Sequence, residues 1–475
     1  MDDHLTFASV HDLAALIKTK EISPVELTGH FLDRIERYNP ALNAYIAVTA
    51  QRALAVAAAA ESAIVGGQYL GPLHGIPIAL KDLIDTAGIP TVGGSTLLKD
   101  RLPTKDATIA RQLFQAGAVL LGKTHLVEFA YGGAGINHHY GTPLNPWDLD
   151  TPRLPGGSSS GSAVAVAAGL APAAMGSDTG GSVRIPSSFC GLAGLKTTFG
   201  RLSNAGLIAL DSSLDSAGPM CRTVADAALI YQTLASPDPA DPDTWNQPCD
   251  NVLDDLDGDI SGLRLSLPRQ YFWDDVDAEV EAAVRASTQI FANLGAYIDE
   301  LDLPELDEMA ELRTHGSLTA VEAYLSRRDE LENQLNQFDP IVSARMLDGK
   351  TMMAADYFDA KRGFAQLRPR LYKTLTSVDA LITPTTPFAA LPVAEVDREA
   401  DYHRLNGMCL RNTMAVNLMG LCAVSLPCGF TRDGLPIGLQ IIGHPHAEGL
   451  ILRLAQAYEQ ATEWHKKHAD LSTLA

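Results

Sequence analysis

The sequence predicts an α/β fold, a sheet with helices on its faces, interrupted by a mostly helical insertion. Three observations carry this. From about residue 70 to 235, short apolar runs such as IPIALKDL and AVLLGKT alternate with helix-like segments such as DATIARQLFQAG, separated by Gly-rich loops. Strand-like stretches return from 378 onward in VDALITPTTP, CAVSLPCGF and PIGLQIIG. Between them, residues 236–375 change character: acidic or Pro/Asp-rich stretches bracket amphipathic patterns such as DAEVEAAVRASTQIFANLGA and AADYFDAKRGFAQLRPRLYKTL.

Taken in order, residues 1–69 read as an N-terminal helical layer. In SPVELTGHFLDRIERYNP a serine cap precedes a proline at the first helical position, and QRALAVAAAAESAI supplies a second helix. Residues 70–235 form the core, and 236–375 an insertion or lid. Residues 376–475 rejoin the first sheet and end in the helix EGLILRLAQAYEQATEWH. All 475 residues then make one discontinuous domain, long enough to bury a sizeable core.

Charge excludes some partners. With 57 acidic against 36 basic residues the chain carries a formal charge of −21, and no Lys/Arg-rich patch stands out. That field opposes unaided binding to nucleic acid or anionic membranes. The acidic clusters at 250–260 and 299–312 read as solvated surface. MDDHLTFASV lacks the basic and apolar pattern of a secretory signal, and the apolar stretches near 163–175 and 414–428 are too broken to span a bilayer. A cytoplasmic location is the default expectation. The six cysteines, Cys190, Cys221, Cys249, Cys409, Cys422 and Cys428, show no CxxC spacing and are expected to be reduced and packed rather than zinc-binding.

Two loops hold glycines beside hydroxyls: LPGGSSSGSAVAVAAGL (154–170) and GSDTGGSVRIP (176–186). Glycine lets several backbone N–H groups converge on one point, so such loops can receive an anion. Neither has the closing Lys-Ser/Thr of a phosphate-binding loop, and no dinucleotide G-x-G-x-x-G opens a helix after a strand. Residues 157–161 match G-x-S-x-G formally, but the preceding PWDLDTPRLPG is polar and carries three prolines, unlike the buried strand that a nucleophile elbow needs. His315, His403, His444 and His446 stand in no distinctive context for a Ser-His-Asp triad. Lys81 is more informative, because it follows the apolar run Ile76 to Leu80. Burial there would favour its neutral amine, which can activate a serine without histidine; a salt bridge with Asp82 is the plainer alternative.

Together these segments resemble the amidase signature family. The matching stretches are GPLHGIPIALKDLIDTAGIPTVGGS, LPGGSSSGSAVAVAAGLAPAAMGSDTGGSVRIPSSFCGLAGLKTTFGRLS, LITPTTP and NLMGLCAVSLPCGFTRDGLPIGLQIIG, in the family's order. The resemblance implies a mixed sheet sandwiched between helices and a Ser-Ser-Lys triad, with Ser182 as nucleophile, Ser158 as a bridging serine in a cis peptide and Lys81 as base. It further implies an oxyanion hole from the N–H groups of Thr179, Gly180, Gly181 and Ser182, with Asp178 and Arg184 bracing the loop. EFAYGGAGINHHYG resembles the substrate-side loop, which makes Glu128, Phe129, Tyr131, Gly132 and Gly133 pocket candidates. Ser160 and Thr197 depart from the family's usual glycine and proline.

The implied activity is hydrolysis of a small carboxamide, anilide or carbamate, with no metal or organic cofactor. The alternative is the glutaminase (A) subunit of a tRNA-dependent amidotransferase, which GRLSNAGLIALDSSLDSAGP also resembles. Ile185 weighs toward the hydrolase, since that subunit typically has glutamine there. Tyr324, Phe338, Met346 and Tyr357 of the insertion are candidates for an apolar pocket, against a role in core packing. A homodimer is the base-rate expectation.

Overall fold

In the computed structural model, which describes residues 3–248, 251–314, 316–396 and 398–474, eleven strands among those residues form one mixed sheet. In chain order they are β1 (Tyr45–Val48), β2 (Pro77–Lys81), β3 (Val119–Thr124), β4 (Ala173–Asp178), β5 (Ala193–Lys196), β6 (Ser216–Cys221), β7 (Arg264–Pro268), β8 (Tyr297–Leu301), β9 (Ala380–Pro384), β10 (Cys422–Phe430) and β11 (Pro436–Gly443). Their spatial order is β1-β3-β2-β4-β6-β5-β10-β11-β9-β7-β8. The strands β2, β3 and β4 run parallel, β4 to β11 alternate through antiparallel pairs, and β9, β7 and β8 are again parallel. The central strands are buried throughout, which is why they read as unbroken apolar runs rather than alternating patterns.

Helices cover the faces where the sequence places them. Ser23 caps Pro24–Leu42 in a reciprocal capping box with Glu26, each contact 3.0 Å, and Pro24 sits at the first turn. Ala50–Val65 follows, then Thr108–Gln115, Ala354–Leu375 and the closing Glu448–Gln460. Two parts of the sheet escape the sequence pattern. β1 lies inside the stretch read as a helical layer and pairs antiparallel with β3. β7 and β8 lie inside the mostly helical insertion and extend the sheet at its edge. The last of these, YIDEL, is largely exposed and acidic, as an edge strand protected against further pairing often is.

Cys190, Cys221, Cys409, Cys422 and Cys428 are buried free thiols, whereas Cys249 and His315 lie outside the described residues. No helix among the described residues is long and apolar enough to cross a membrane. Tyr324, Phe338 and Met346 are core side chains, with Phe338 packed on Phe129 at 5.7 Å between ring centroids. Tyr357 is half-buried and donates its hydroxyl to Glu322 Oε1 at 2.5 Å.

Candidate active site

Adjacent parallel strands bring the first two parts of the site together. Lys81 ends β2, and Ser177 and Asp178 end β4, so all three emerge at the carboxyl edge of the sheet, where ligands of open α/β sheets bind. The Lys81 amine is fully buried and donates to Ser158 Oγ at 2.7 Å and to Ser177 Oγ at 2.9 Å. Burial pushes this lysine down from its ordinary 10.5 to about 7, against the opposing pull of the Asp215 and Asp178 carboxylates. It is therefore poised to hold or release a proton near neutrality.

Ser158 follows the cis peptide Gly157–Ser158 and lies just ahead of the helix Ser160–Ala167. Ser182 lies across from it: the Ser159 N–H donates to Ser182 O at 3.3 Å. Ser182 is only 4% exposed, and among the described residues its hydroxyl makes no hydrogen bond. The structure thus joins Lys81 to Ser158 directly, and brings Ser182 beside them with the last link open.

One carboxylate gathers the backbone N–H groups of the loop carrying Ser182. Asp178 accepts from the N–H groups of Gly181 (2.8 Å), Val183 (3.1 Å) and Arg184 (3.4 Å), and from the Arg184 side chain at 3.0 and 2.9 Å. Burial alone would raise its pKa, but the Arg184 guanidinium, helped by the Lys196 charge and the Asn417 amide, outweighs burial and holds it at about 2. Arg184 in turn donates to Gln440 Oε1 at 2.7 Å and Asn417 Oδ1 at 2.5 Å. Gly181 has φ +134, and a Cβ there would stand 2.1 Å from Thr413 Oγ1, so only glycine fits. Because the Gly181 N–H is taken by Asp178, the loop donors without an acceptor among the described residues are the N–H groups of Thr179, Gly180 and Ser182.

Two candidate groups have different surroundings from those the motifs suggest. Glu128 is fully buried, and its oxygens are occupied by Ser95 Oγ (2.7 Å), His139 Nε2 (2.9 Å) and the Asp339 N–H (2.8 Å), so it clamps the loop to the insertion. Phe129 (φ +48) and Tyr131 are packed, the latter under the Arg345 guanidinium at 3.9 Å. Gly132 and Gly133 do reach the site: the Gly157 N–H donates to Gly133 O at 2.8 Å. Ser160 is buried with an unpartnered hydroxyl, and buried Thr197 donates weakly to Ala217 O at 3.4 Å. His444 is bonded to the Leu375 and Val378 carbonyls, while His403 lies beside Glu399 on one helix.

Sequence reasoning missed Ser177, Asp215, Thr413, Asn417 and Gln440. Asp215 accepts the Thr179 hydroxyl and the N–H groups of Leu210 and Asp211 at 2.9 and 3.1 Å, and burial raises its carboxyl to about 6. Nothing in its own segment, SSLDSAGP, marks it.

A mixed sheet with a buried lysine and two serine loops at its carboxyl edge defines an amidase-type fold. The family model described as Amidase matches residues 26–452, and the chain belongs to that family, the amidase signature enzymes. It is 40% identical to the A subunit of the glutamyl-tRNA(Gln) amidotransferase of Chloroflexus aggregans, over 99% of each chain. Among solved structures, it superposes with a TM-score of 0.88 and 33% identity on a chain of a vestigial protein complex bearing on the origins of an s-triazine catabolic enzyme, over 95% of this chain and 98% of that one. Native peptide amidase from Stenotrophomonas maltophilia gives 0.84 and 31%, over 96% and 97%.

Proposed function

We propose that this chain breaks a carboxamide C–N bond through an acyl-enzyme on Ser182, and does so as the glutamine-hydrolysing component of a tRNA-dependent amidotransferase. The observation that supports the reaction is the buried Lys81 amine 2.7 Å from Ser158 Oγ, beside the serine loop. Neutral Lys81 takes a proton from Ser158, which takes one from Ser182 as its Oγ attacks the carbonyl carbon. The free loop N–H groups receive the negative oxygen. Collapse breaks the C–N bond, the leaving nitrogen takes the proton back by the reverse route, and water then hydrolyses the acyl-enzyme. The open Ser158–Ser182 link closes with substrate present, since catalytic hydrogen bonds are often long in empty sites.

The amidotransferase reading is supported by similarity along the full length to a glutamyl-tRNA(Gln) amidotransferase component. This reverses the weight that the sequence alone places on a stand-alone hydrolase. That second reading, hydrolysis of a carboxamide, anilide or carbamate, is favoured by Ile185, whose Cδ1 lies against Gly181 where the amidotransferase chains typically carry glutamine. Ammonia or amine release from glutamine, simple amides, anilides and carbamates separates the two. The amidotransferase reading expects glutamine to be the best substrate. Cleavage of anilides or carbamates with glutamine untouched establishes the second reading instead, and unchanged turnover in Ser182→Ala refutes both.

A further inference from the structure

A buried tyrosine with a left-handed backbone marks a second polar cluster close to the serine loop. Tyr271 has φ +69, a conformation that costs a non-glycine residue free energy and that gathers at functional sites. Its hydroxyl donates to Arg411 O at 3.1 Å and accepts from Arg313 Nη1 at 2.6 Å. Arg411 gives its Nε to Asn412 Oδ1 and keeps a buried Nη2 without a hydrogen-bond partner. Asp274 and Asp275 reach Arg411 only through longer-range attraction. Among the described residues neither guanidinium forms an ion pair, in a chain with 57 acidic and 36 basic residues. Guanidiniums left unpaired amid so many carboxylates fit an anion that arrives with the substrate.

The space beside Arg313 is suited to one. Arg313 lines a cavity of about 110 Å3 with Ser317, Thr319, Phe364, Met414 and Leu418. One of its walls touches the serine loop, and a second is linked to it through the 210–215 loop. Met414 Cε stands 2.4 Å from where a Cβ on Gly180 would be. Thr319 Oγ1 donates to Asp211 Oδ2 at 2.9 Å, and the 210–215 loop returns through Asp215 to the Thr179 hydroxyl.

We infer that this cavity is the acyl-chain subsite of the reaction and that Arg313 receives a carboxylate at the far end of the acyl chain. The inference rests on Ser182 as the acyl acceptor. The cavity is well below the roughly 300 Å3 at which drug-sized sites begin, so its occupant is short. Phe364, Met414 and Leu418 face methylene groups, and the planar guanidinium fork matches a carboxylate. The preferred substrates are terminal amides of short dicarboxylic acids, and glutamine qualifies through its own carboxylate.

Glutaric acid monoamide and pentanamide share acyl length and differ in the terminal carboxylate. Their kcat/KM ratio for ammonia release should favour the monoamide by about tenfold or more, as a charge-assisted hydrogen bond would give. Arg313→Met should bring the ratio close to unity and Arg313→Lys should restore part of it, with the melting temperature followed in each. Calorimetric titration with glutarate reads the same subsite without turnover, and its Kd should weaken by about tenfold or more in Arg313→Met. A wild-type ratio near unity without glutarate binding overturns the subsite and leaves the Ser182 chemistry standing. A preference that survives Arg313→Met also overturns it. Arg313-dependent glutarate binding in a protein that cleaves neither amide keeps the subsite and overturns the reaction.

Discussion

Lys81 holds its amine out of water, and this fixes the direction of the pH dependence. With its pKa lowered to about 7, the neutral base predominates above that pH, whereas at the ordinary 10.5 nearly all of it would be charged at neutrality. The kcat/KM should therefore climb as pH rises through about 7 and level off above; a profile flat from pH 5 to 9 would refute Lys81 as the base. Asp215 works against burial here, since its carboxylate favours the charged amine. Asp215→Asn keeps the size and can still bond Thr179 and the 210–211 N–H groups, yet removes that charge. The acid limb should then move to lower pH, and an upward shift would contradict the electrostatic argument. Lys81→Ala should lower kcat by roughly 100- to 10,000-fold with circular dichroism unchanged, the range over which a general base contributes.

At the scale of elements, the serine loop and the helix Arg184–Cys190 depend on a buried ion pair whose supports come from a distant part of the chain. Asn417, on the helix Glu399–Leu418, and Gln440, on β11, both hold Arg184, so that helix and strand set the loop's position. Arg184→Met leaves Asp178 buried and unpaired and should cost about 3–5 kcal/mol in urea unfolding. Ser160 gives the opposite case: its buried hydroxyl has no partner at the start of the helix Ser160–Ala167. Ser160→Ala should raise stability by about 1 kcal/mol in the same measurement, and a loss would point to a hidden bond. The contrast explains what the sequence made legible. Helices such as Pro24–Leu42 and strands such as β2 and β11 announce themselves through caps and apolar runs. Lys81, Ser158 and Ser182 are individually conspicuous, but 77 residues separate the first two, and only strand pairing or a family resemblance brings them together. Asn417 and Gln440 are polar residues hidden in apolar elements, and Asp215 is ordinary in its own segment. Glu128 misled for a related reason: a carboxylate beside glycines suggests a ligand, while Ser95 and Asp339 come from two other segments and His139 from the far end of its own.

For the whole molecule, charge sets a limit on the amidotransferase reading. Binding to tRNA draws on phosphates neutralised by lysine and arginine, and each such contact releases counterions. This chain has 57 acidic and 36 basic residues, a formal charge of −21, so its mean field repels a polyanion at the distances where encounter begins. The site itself lies at the sheet edge among buried groups, and its proposed substrate is a short amide rather than a nucleotide. On the amidotransferase reading, hydrolysis of the amide and contact with tRNA would fall to different parts of the assembly, and the cationic surface would come from other chains. Two outcomes follow for the purified chain at about 0.15 M salt, where screening leaves an effective range of about 8 Å. Fluorescence anisotropy with labelled tRNA should detect no complex at micromolar protein, and added tRNA should leave ammonia release from glutamine unchanged. Micromolar binding by the chain alone would show a local cationic patch overriding its net charge, and a rise in turnover would place tRNA contact on this chain.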